Sequence, residues 1–266
     1  APKGLFQFEI GIQSFSDATL EAVGRKTNLQ KVEANIKKLL SFQNVHLHTD
    51  LITGLPYEDF PTFCQGFRRL YALRPHVIQI GFLKVLKGCP IVNTPYGLKY
   101  SSHAPYEVLR TDRLSAKELS RIKNAEHAFD ETYNTSYFTE TLKYLDTLES
   151  DPFRLFEELG LRAETDGGIS LENKYRILEG YAVEKGGDRE VFRSLAVFDY
   201  LSSNRVSYLP PYFRGIPFAA GKNFAEAEIA QKGKPSSQKI HFDYTTRDKV
   251  NGKYAYHVID SSRKEE

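Results

Sequence analysis

Three short segments carry polar groups at every second residue: Gln7, Glu9, Gly11 and Gln13; His46, His48 and Asp50; Gln79 and Gly81. In extended backbone, side chains two residues apart share a face. Each segment therefore presents a row of hydrogen-bonding groups opposite an apolar row, namely Phe8, Ile10 and Ile12, then Leu47 and Leu51, then Ile78, Ile80 and Phe82. Amides, carboxylates and imidazoles so placed suit a polar ligand. An unpaired buried polar group costs about 1–3 kcal/mol, so either a bound polar molecule or interior water must satisfy such a lining. Gln13 and Asp50 fall at the C-terminal ends of their segments, where barrel-like parallel sheets place their chemistry.

Other groups are weaker candidates. His46 and His48, with Asp50, have the residue types of a metal site. Strand-alternating histidines in a polar interior more often orient substrate or hydrogen-bond, so no metal ligands are assigned. Cys64 and Cys89 stand 25 residues apart, a spacing that matches no metal motif. Lys84 and Lys87 read as a solvated rim, and Glu164, Asp166 and Glu172 are too scattered for paired-carboxylate catalysis. Tyr208 to Tyr212 form an aromatic cluster that either caps the sheet, meets a partner or makes a small core of its own. No GxSxG, GxxxxGK or HExxH is present.

The elements that must position these residues alternate in type. Strands are expected at Leu5–Gln13, Val45–Ile52 and His76–Leu83. Helices are expected from Ser16 or Asp17 to Val23 with Gly24 as the stop, from Asn28 to Leu40, and near Tyr57–Leu73. Strand–helix–strand crossovers of about 30 residues imply a parallel sheet with right-handed connections. Beyond Gly88-Cys89-Pro90 the pattern becomes helical, near Ser115–Tyr133, Ser136–Leu148, Pro152–Leu159, Leu171–Glu184 and Asp188–Leu201, with capping-box spacing at Ser115 and Glu118. Gly167-Gly168 and Gly186-Gly187 are loop breakers. Ile240, Phe242 and Tyr244, then Tyr254, Tyr256 and Val258, alternate with other residues around Asn251-Gly252, which predicts a terminal hairpin. Gln231–Lys239 reads as a linker and Ser261–Glu266 as a frayed end.

Composition narrows the function classes. The 36 Lys+Arg against 34 Asp+Glu leave a charge of +2 in 266 residues, with no field that argues for nucleic acid. No apolar run nears the roughly 20 residues of a membrane span, and no signal peptide is legible. Two cysteines exclude a disulfide framework and fit a reducing compartment. We have no physical account of the absence of Met and Trp.

Glu9-Ile-Gly-Ile-Gln-Ser-Phe15, then Leu20 through Gly24-Arg25, then Asp50-Leu-Ile-Thr-Gly-Leu-Pro56 resemble the second half of a radical SAM barrel, and oxygen-independent coproporphyrinogen oxidases show a close version. The segments His46–Asp59, Gln79–Gly88, Pro105–Leu109, Phe138–Tyr144 and Phe198–Leu201 are similar to cobalamin-binding-type radical SAM proteins with a helical C-terminal domain. The resemblance extends to about Phe213. It implies a partial TIM-like barrel, S-adenosylmethionine and a 4Fe-4S cluster as cofactors, and cobalamin in the parent protein. It also implies that Gln13, Arg25 and Asp50 contact S-adenosylmethionine, Arg25 at the methionine carboxylate and the other two at ribose hydroxyls. Glu9, His46, His48 and Gln79 would line the substrate side. The CxxxCxxC loop that binds the cluster in that superfamily is not in this sequence, because soft thiolate ligands are needed and only two cysteines exist.

The resulting expectation is an α/β fold. Residues 1–98 form the C-terminal half of a partial TIM-like barrel, 99–204 a mainly α-helical domain, and 205–266 an extended segment with a small β hairpin. The expected function is part of a radical SAM enzyme that performs radical hydrogen abstraction or methyl transfer on an unknown substrate. Its cluster-bearing half would be supplied in cis or in trans, in the cytoplasm, with neither nucleic acid nor membrane as partner. The alternatives are a coproporphyrinogen-oxidase-like enzyme without cobalamin and a non-catalytic remnant that binds a partner.

Overall fold

The structure, a computed structural model, describes residues 1–93, 96–166, 170–230 and 237–259. The Gly167-Gly168 breaker, most of the Gln231–Lys239 linker, the Ser261–Glu266 end and the side chains of Glu164 and Asp166 lie outside the described residues. The chain divides into two compact units, one made of Ala1–Asp130 with Asp151–Gly160 and the other of Glu131–Ser150 with Leu161–Glu266.

In the first unit, β1 (Phe6–Gln13), β2 (Val45–Thr53) and β3 (Val77–Phe82) form a parallel sheet in the order β1-β2-β3. The crossovers carry α1 (Asp17–Ala22) and α2 (Leu29–Ser41), then α3 (Phe60–Leu73). Local chemistry starts each helix. Ser16 Oγ accepts from the Thr19 N–H, Asn28 Oδ1 from Lys31 N–H and Asp59 Oδ1 from Thr62 N–H. Helix α3 begins three residues later than the pattern predicts because Tyr57 takes a left-handed φ of 62° and Asp59 becomes the cap.

Strand β2 alternates without exception, with Val45, Leu47, Thr49, Leu51 and Thr53 buried and His46, His48, Asp50 and Ile52 partly open. The apolar face is completed by Ile12, Ile78 and Ile80. Phe63, Phe67 and Tyr71 of α3 are buried among Phe129, Phe153 and Phe156, mostly edge to face, with Phe129 and Phe156 centroids 4.8 Å apart. The short antiparallel pair β4 (Lys99–Tyr100) and β5 (Val108–Arg110) precedes α4 (Ala116–Phe129), which starts in a complete capping box. A π-helical turn, Asp130–Asn134, follows α4.

The second unit contains α5 (Thr139–Leu145), α7 (Leu171–Glu184) and α8 (Arg189–Ser203), while α6 (Pro152–Asp166) divides between the units at Gly160. The terminal hairpin is present, but as half of a four-stranded antiparallel sheet: β6 (Phe218–Ala220), β7 (Phe224–Ala230), β8 (Ser237–Arg247) and β9 (Tyr254–Ile259). Strands β6 and β7 escape the sequence pattern because Ala and Glu, both helix formers, dominate them. The alternation of β7 is nevertheless real, with Ala225, Ala227 and Ile229 buried. Phe198 of α8 packs 5.5 Å from Phe242 and 4.8 Å from Tyr256. Tyr212 and Phe213 are buried against Tyr175, while Tyr208 stays 74% exposed, so the aromatic cluster is a local core at one end only. Among the described residues, no helix is long and apolar enough to cross a membrane.

Candidate functional site

The polar rows meet in register across the parallel sheet. Gln7 is opposite His46, Glu9 opposite His48, Gly11 opposite Asp50, and Asp50 in turn opposite Gln79. The register slips between Gly11 and Gln13, and Gln13 adopts φ 71°, an uncommon conformation for a residue with a side chain. The consequence is visible at Gly11. A Cβ there would lie 2.5 Å from Gln13 Nε2 and 3.7 Å from Arg25 Nη1. The missing side chain at Gly11 thus leaves the space in which the Gln13 amide folds back toward the Arg25 guanidinium, beside the strand position of Asp50.

Arg25 is delivered there by the end of α1. Gly24 takes φ +73°, and the Arg25 N–H reaches back to the Leu20 carbonyl at 2.8 Å, the 6→1 bond of a Schellman stop. A groove of about 620 Å³ adjoins Arg25 and is lined also by Asp17, Glu21, Lys26 and Asn28. The structure therefore gathers Gln13, Arg25 and Asp50 at the C-terminal ends of β1 and β2, and sets Glu9, His46, His48 and Gln79 along the same face.

The charges on this face influence one another. Burial holds the His48 imidazolium below its usual range, the His46 charge adds to that, and Glu9 and Asp50 oppose it. Burial raises the Asp50 carboxyl and Glu9 raises it further, against the pull of His48. His46 stacks on His76 at 4.5 Å and lies 5.0 Å from His48. His76, which the strand pattern treats only as the start of β3, accepts the Leu47 N–H at Nδ1 over 3.1 Å.

A second feature is not evident from residue spacing. Ser14, next to Gln13, donates its hydroxyl to Glu58 Oε1 at 2.5 Å, and the two residues are 1% and 3% exposed. Among the described residues Glu58 Oε2 has no hydrogen-bond partner, and burial pushes its carboxyl up to about 7 despite the Ser14 bond. The bond ties the turn after β1 to the loop after β2 and so fixes the backbone that carries Gln13. Its signal in the sequence is slight: both residues lie inside the quoted motifs, yet nothing in their spacing shows that they touch.

Among the described residues, no group of three or more His, Cys, Asp or Glu is placed to hold a metal ion. Cys64 is buried, and burial pushes its thiol up to about 12, while Cys89 is half-buried.

Residues 94–262, more than half of the chain, match the family described as protein of unknown function DUF4080, and the chain belongs to that family. A stretch of 78 residues is 30% identical to anaerobic coproporphyrinogen III oxidase 1 of Cereibacter sphaeroides. This match covers 29% of the chain and 17% of the oxidase, so the chain spans a small part of that relative's length.

Proposed function

We propose that this chain is the C-terminal part of a radical SAM enzyme, its parallel sheet belonging to a partial TIM-like barrel whose polar face receives S-adenosylmethionine and substrate. The observation that carries this reading is the convergence of the Gln13 amide and Arg25 guanidinium over Gly11, the cross-strand neighbour of Asp50. A guanidinium suits a carboxylate in a bidentate pair, and an amide and a carboxylate suit vicinal hydroxyls. Those are the polar groups of S-adenosylmethionine, so the residues present fit it. Arg25 would hold the methionine carboxylate, and Gln13 and Asp50 the ribose. Glu9, His46, His48 and Gln79 would line the substrate side. When bound, S-adenosylmethionine supplies the deoxyadenosyl group for hydrogen abstraction, or a methyl group. The similarity to a coproporphyrinogen oxidase supports the same reading.

The iron–sulfur cluster does not fit this chain. Three thiolates are needed, whereas the sequence has a deeply buried Cys64 of raised thiol pKa and a lone Cys89. We place the cluster outside this sequence, in cis or in trans, and the whole in the cytoplasm. Cobalamin belongs to this reading through the resemblance of the helical region. A second reading, an enzyme of the coproporphyrinogen-oxidase kind without cobalamin, is favoured by the oxidase match itself.

Expression together with the adjoining coding sequence, anaerobic reconstitution with iron and sulfide, and assay of 5′-deoxyadenosine test the proposal. Product that falls by about 10-fold or more in Arg25→Ala and Asp50→Ala is expected, since each variant removes a hydrogen bond to a charged group. The reading is overturned if no CxxxCxxC occurs in the adjoining frame or a neighbouring gene, or if the protein does not bind S-adenosylmethionine. Added cobalamin that leaves turnover unchanged would select the second reading.

A further inference from the structure

The four-stranded sheet of the second unit has its own row of chemistry-bearing residues, independent of the S-adenosylmethionine reading. Ala225, Ala227, Ile229, Ile240 and Phe242 are buried on one face. By strand alternation the opposite face carries Glu226, His241 and His257. The register sets Glu226 opposite His241 and His241 opposite His257, so three strands deliver one row.

The geometry of that row is specific. The His241 ring stacks with Phe224 at 5.1 Å and with His257 at 4.8 Å. His241 Nδ1 lies 3.1 Å from Glu226 Oε1, and the other oxygen of Glu226 is tied to Lys239 Nζ at 2.6 Å. A carboxylate that accepts from Nδ1–H selects the tautomer whose Nε2 lone pair points away, which is how proteins orient a histidine for a metal ion. Lys239 keeps the carboxylate from swinging off, and the Phe224 ring keeps the imidazole from turning. His257 is exposed beside it. Imidazoles directly opposite on antiparallel strands have Cβ atoms about 5 Å apart, within reach of one shared ion.

The other histidine group in the chain is prepared differently. His76 uses Nδ1 to accept the Leu47 N–H, so its neutral form carries the proton on Nε2 and presents a donor rather than a ligand.

We propose that His241 and His257 together chelate one borderline transition-metal ion such as zinc(II), nickel(II) or copper(II), with Glu226 as the orienting residue and solvent in the other coordination positions. Imidazole suits these ions. With two protein ligands rather than three or four, the site is open and can take a further ligand from outside the chain.

Calorimetric titration of the whole chain with zinc chloride and with nickel chloride tests this, with imidazole nitrogen shifts followed by NMR. One ion per chain is expected, with perturbed Nε2 resonances for His241 and His257 and a rise in the thermal midpoint that depends on ion concentration. Glu226→Gln should weaken binding by roughly 10–100-fold, the usual loss for an orienting partner. His257→Ala, an exposed position that the fold does not need, should weaken it at least as much and abolish the thermal shift. The proposal is overturned by the absence of saturable binding. It is equally overturned if the ion survives His241→Ala and His257→Ala but is lost in a His46→Gln, His48→Gln, His76→Gln triple variant or in Cys89→Ser.

Discussion

Glu58 and Asp199 are both buried carboxylates, one in each unit, and they are satisfied very unequally. Asp199 of α8 is 1% exposed and accepts from the Glu140 N–H at 2.9 Å, the Thr141 N–H at 2.8 Å and the Thr141 hydroxyl at 2.9 Å. It caps α5 from another helix, because the residue at the N-cap position, Phe138, has no side-chain acceptor. Among the described residues Glu58 receives one bond, from Ser14, and leaves Oε2 unpaired. Burial pushes the Asp199 carboxyl up to about 6, opposed by Lys253 and by its donors, and pushes the Glu58 carboxyl up to about 7. The donors aimed at Asp199 make it a helix cap, whereas Glu58 rests on a single hydroxyl; burial raises both carboxyls all the same.

Removing the better-satisfied group should do the most damage. Asp199→Ala strands buried donors at the start of α5 and is expected to cost about 3 kcal/mol. The loss should appear as a lower urea midpoint and as faster hydrogen exchange of the α5 amides. A cost below about 1 kcal/mol would mean that α5 does not depend on this cap.

Glu58 should be legible in pH dependence. Its folded-state value lies above the ordinary 4.5 of a glutamate, so between 4.5 and about 7 the folded state holds more protons than the unfolded one. The group's relative contribution is most favourable below pH 4.5 and falls as pH rises through 7, by at most about 3 kcal/mol. Asp199 acts with the same sign in a lower window, from 3.8 to about 6. Urea unfolding at pH 5 and pH 8 should therefore show a slope that Glu58→Gln flattens at its upper end, and an unchanged slope in that variant would refute the assignment.

A smaller effect is expected from Ser14→Ala. Loss of the hydroxyl removes both its bond to Glu58 and the one it accepts from the Ser16 N–H, at a cost of about 2 kcal/mol, and moves the Glu58 titration further up, because the Ser14 bond now pulls it down. Carbon-detected NMR of the Glu58 carboxyl follows this directly. The smallest effect on stability, under about 1 kcal/mol, is expected from Gly11→Ala, whose new Cβ clashes with the flexible end of Gln13 and only touches Arg25 at ordinary contact distance. It should nonetheless displace the Gln13 amide and, under the proposed function, weaken S-adenosylmethionine binding while leaving the Glu58 titration in place.

Much of the first unit was legible because its signals are local. Period-two alternation placed the faces of β2, and Ser16 and Ser115 announced their helices by capping chemistry that spans three residues; in β1 the predicted apolar face opens, with Phe8 41% exposed, and the Asp59 cap of α3 was not read from the sequence. Helix α7 was bounded correctly at both ends, since Ser170 caps it and Gly186 follows it. Strands β6 and β7 were not legible, because their Ala and Glu content points to helix and only pairing with β8 makes them strands.

By itself the sequence determined which residues share a strand face, where most helices begin and the charge balance, because these depend on neighbours within a few positions. The tertiary structure alone decided that Ser14 meets Glu58 across 44 residues, that Asp199 caps a helix 58 residues away and that Glu226, His241 and His257 form one row. Those contacts are set by strand register and by helix packing. Register is chosen by the burial of whole faces, so no short stretch of sequence states it.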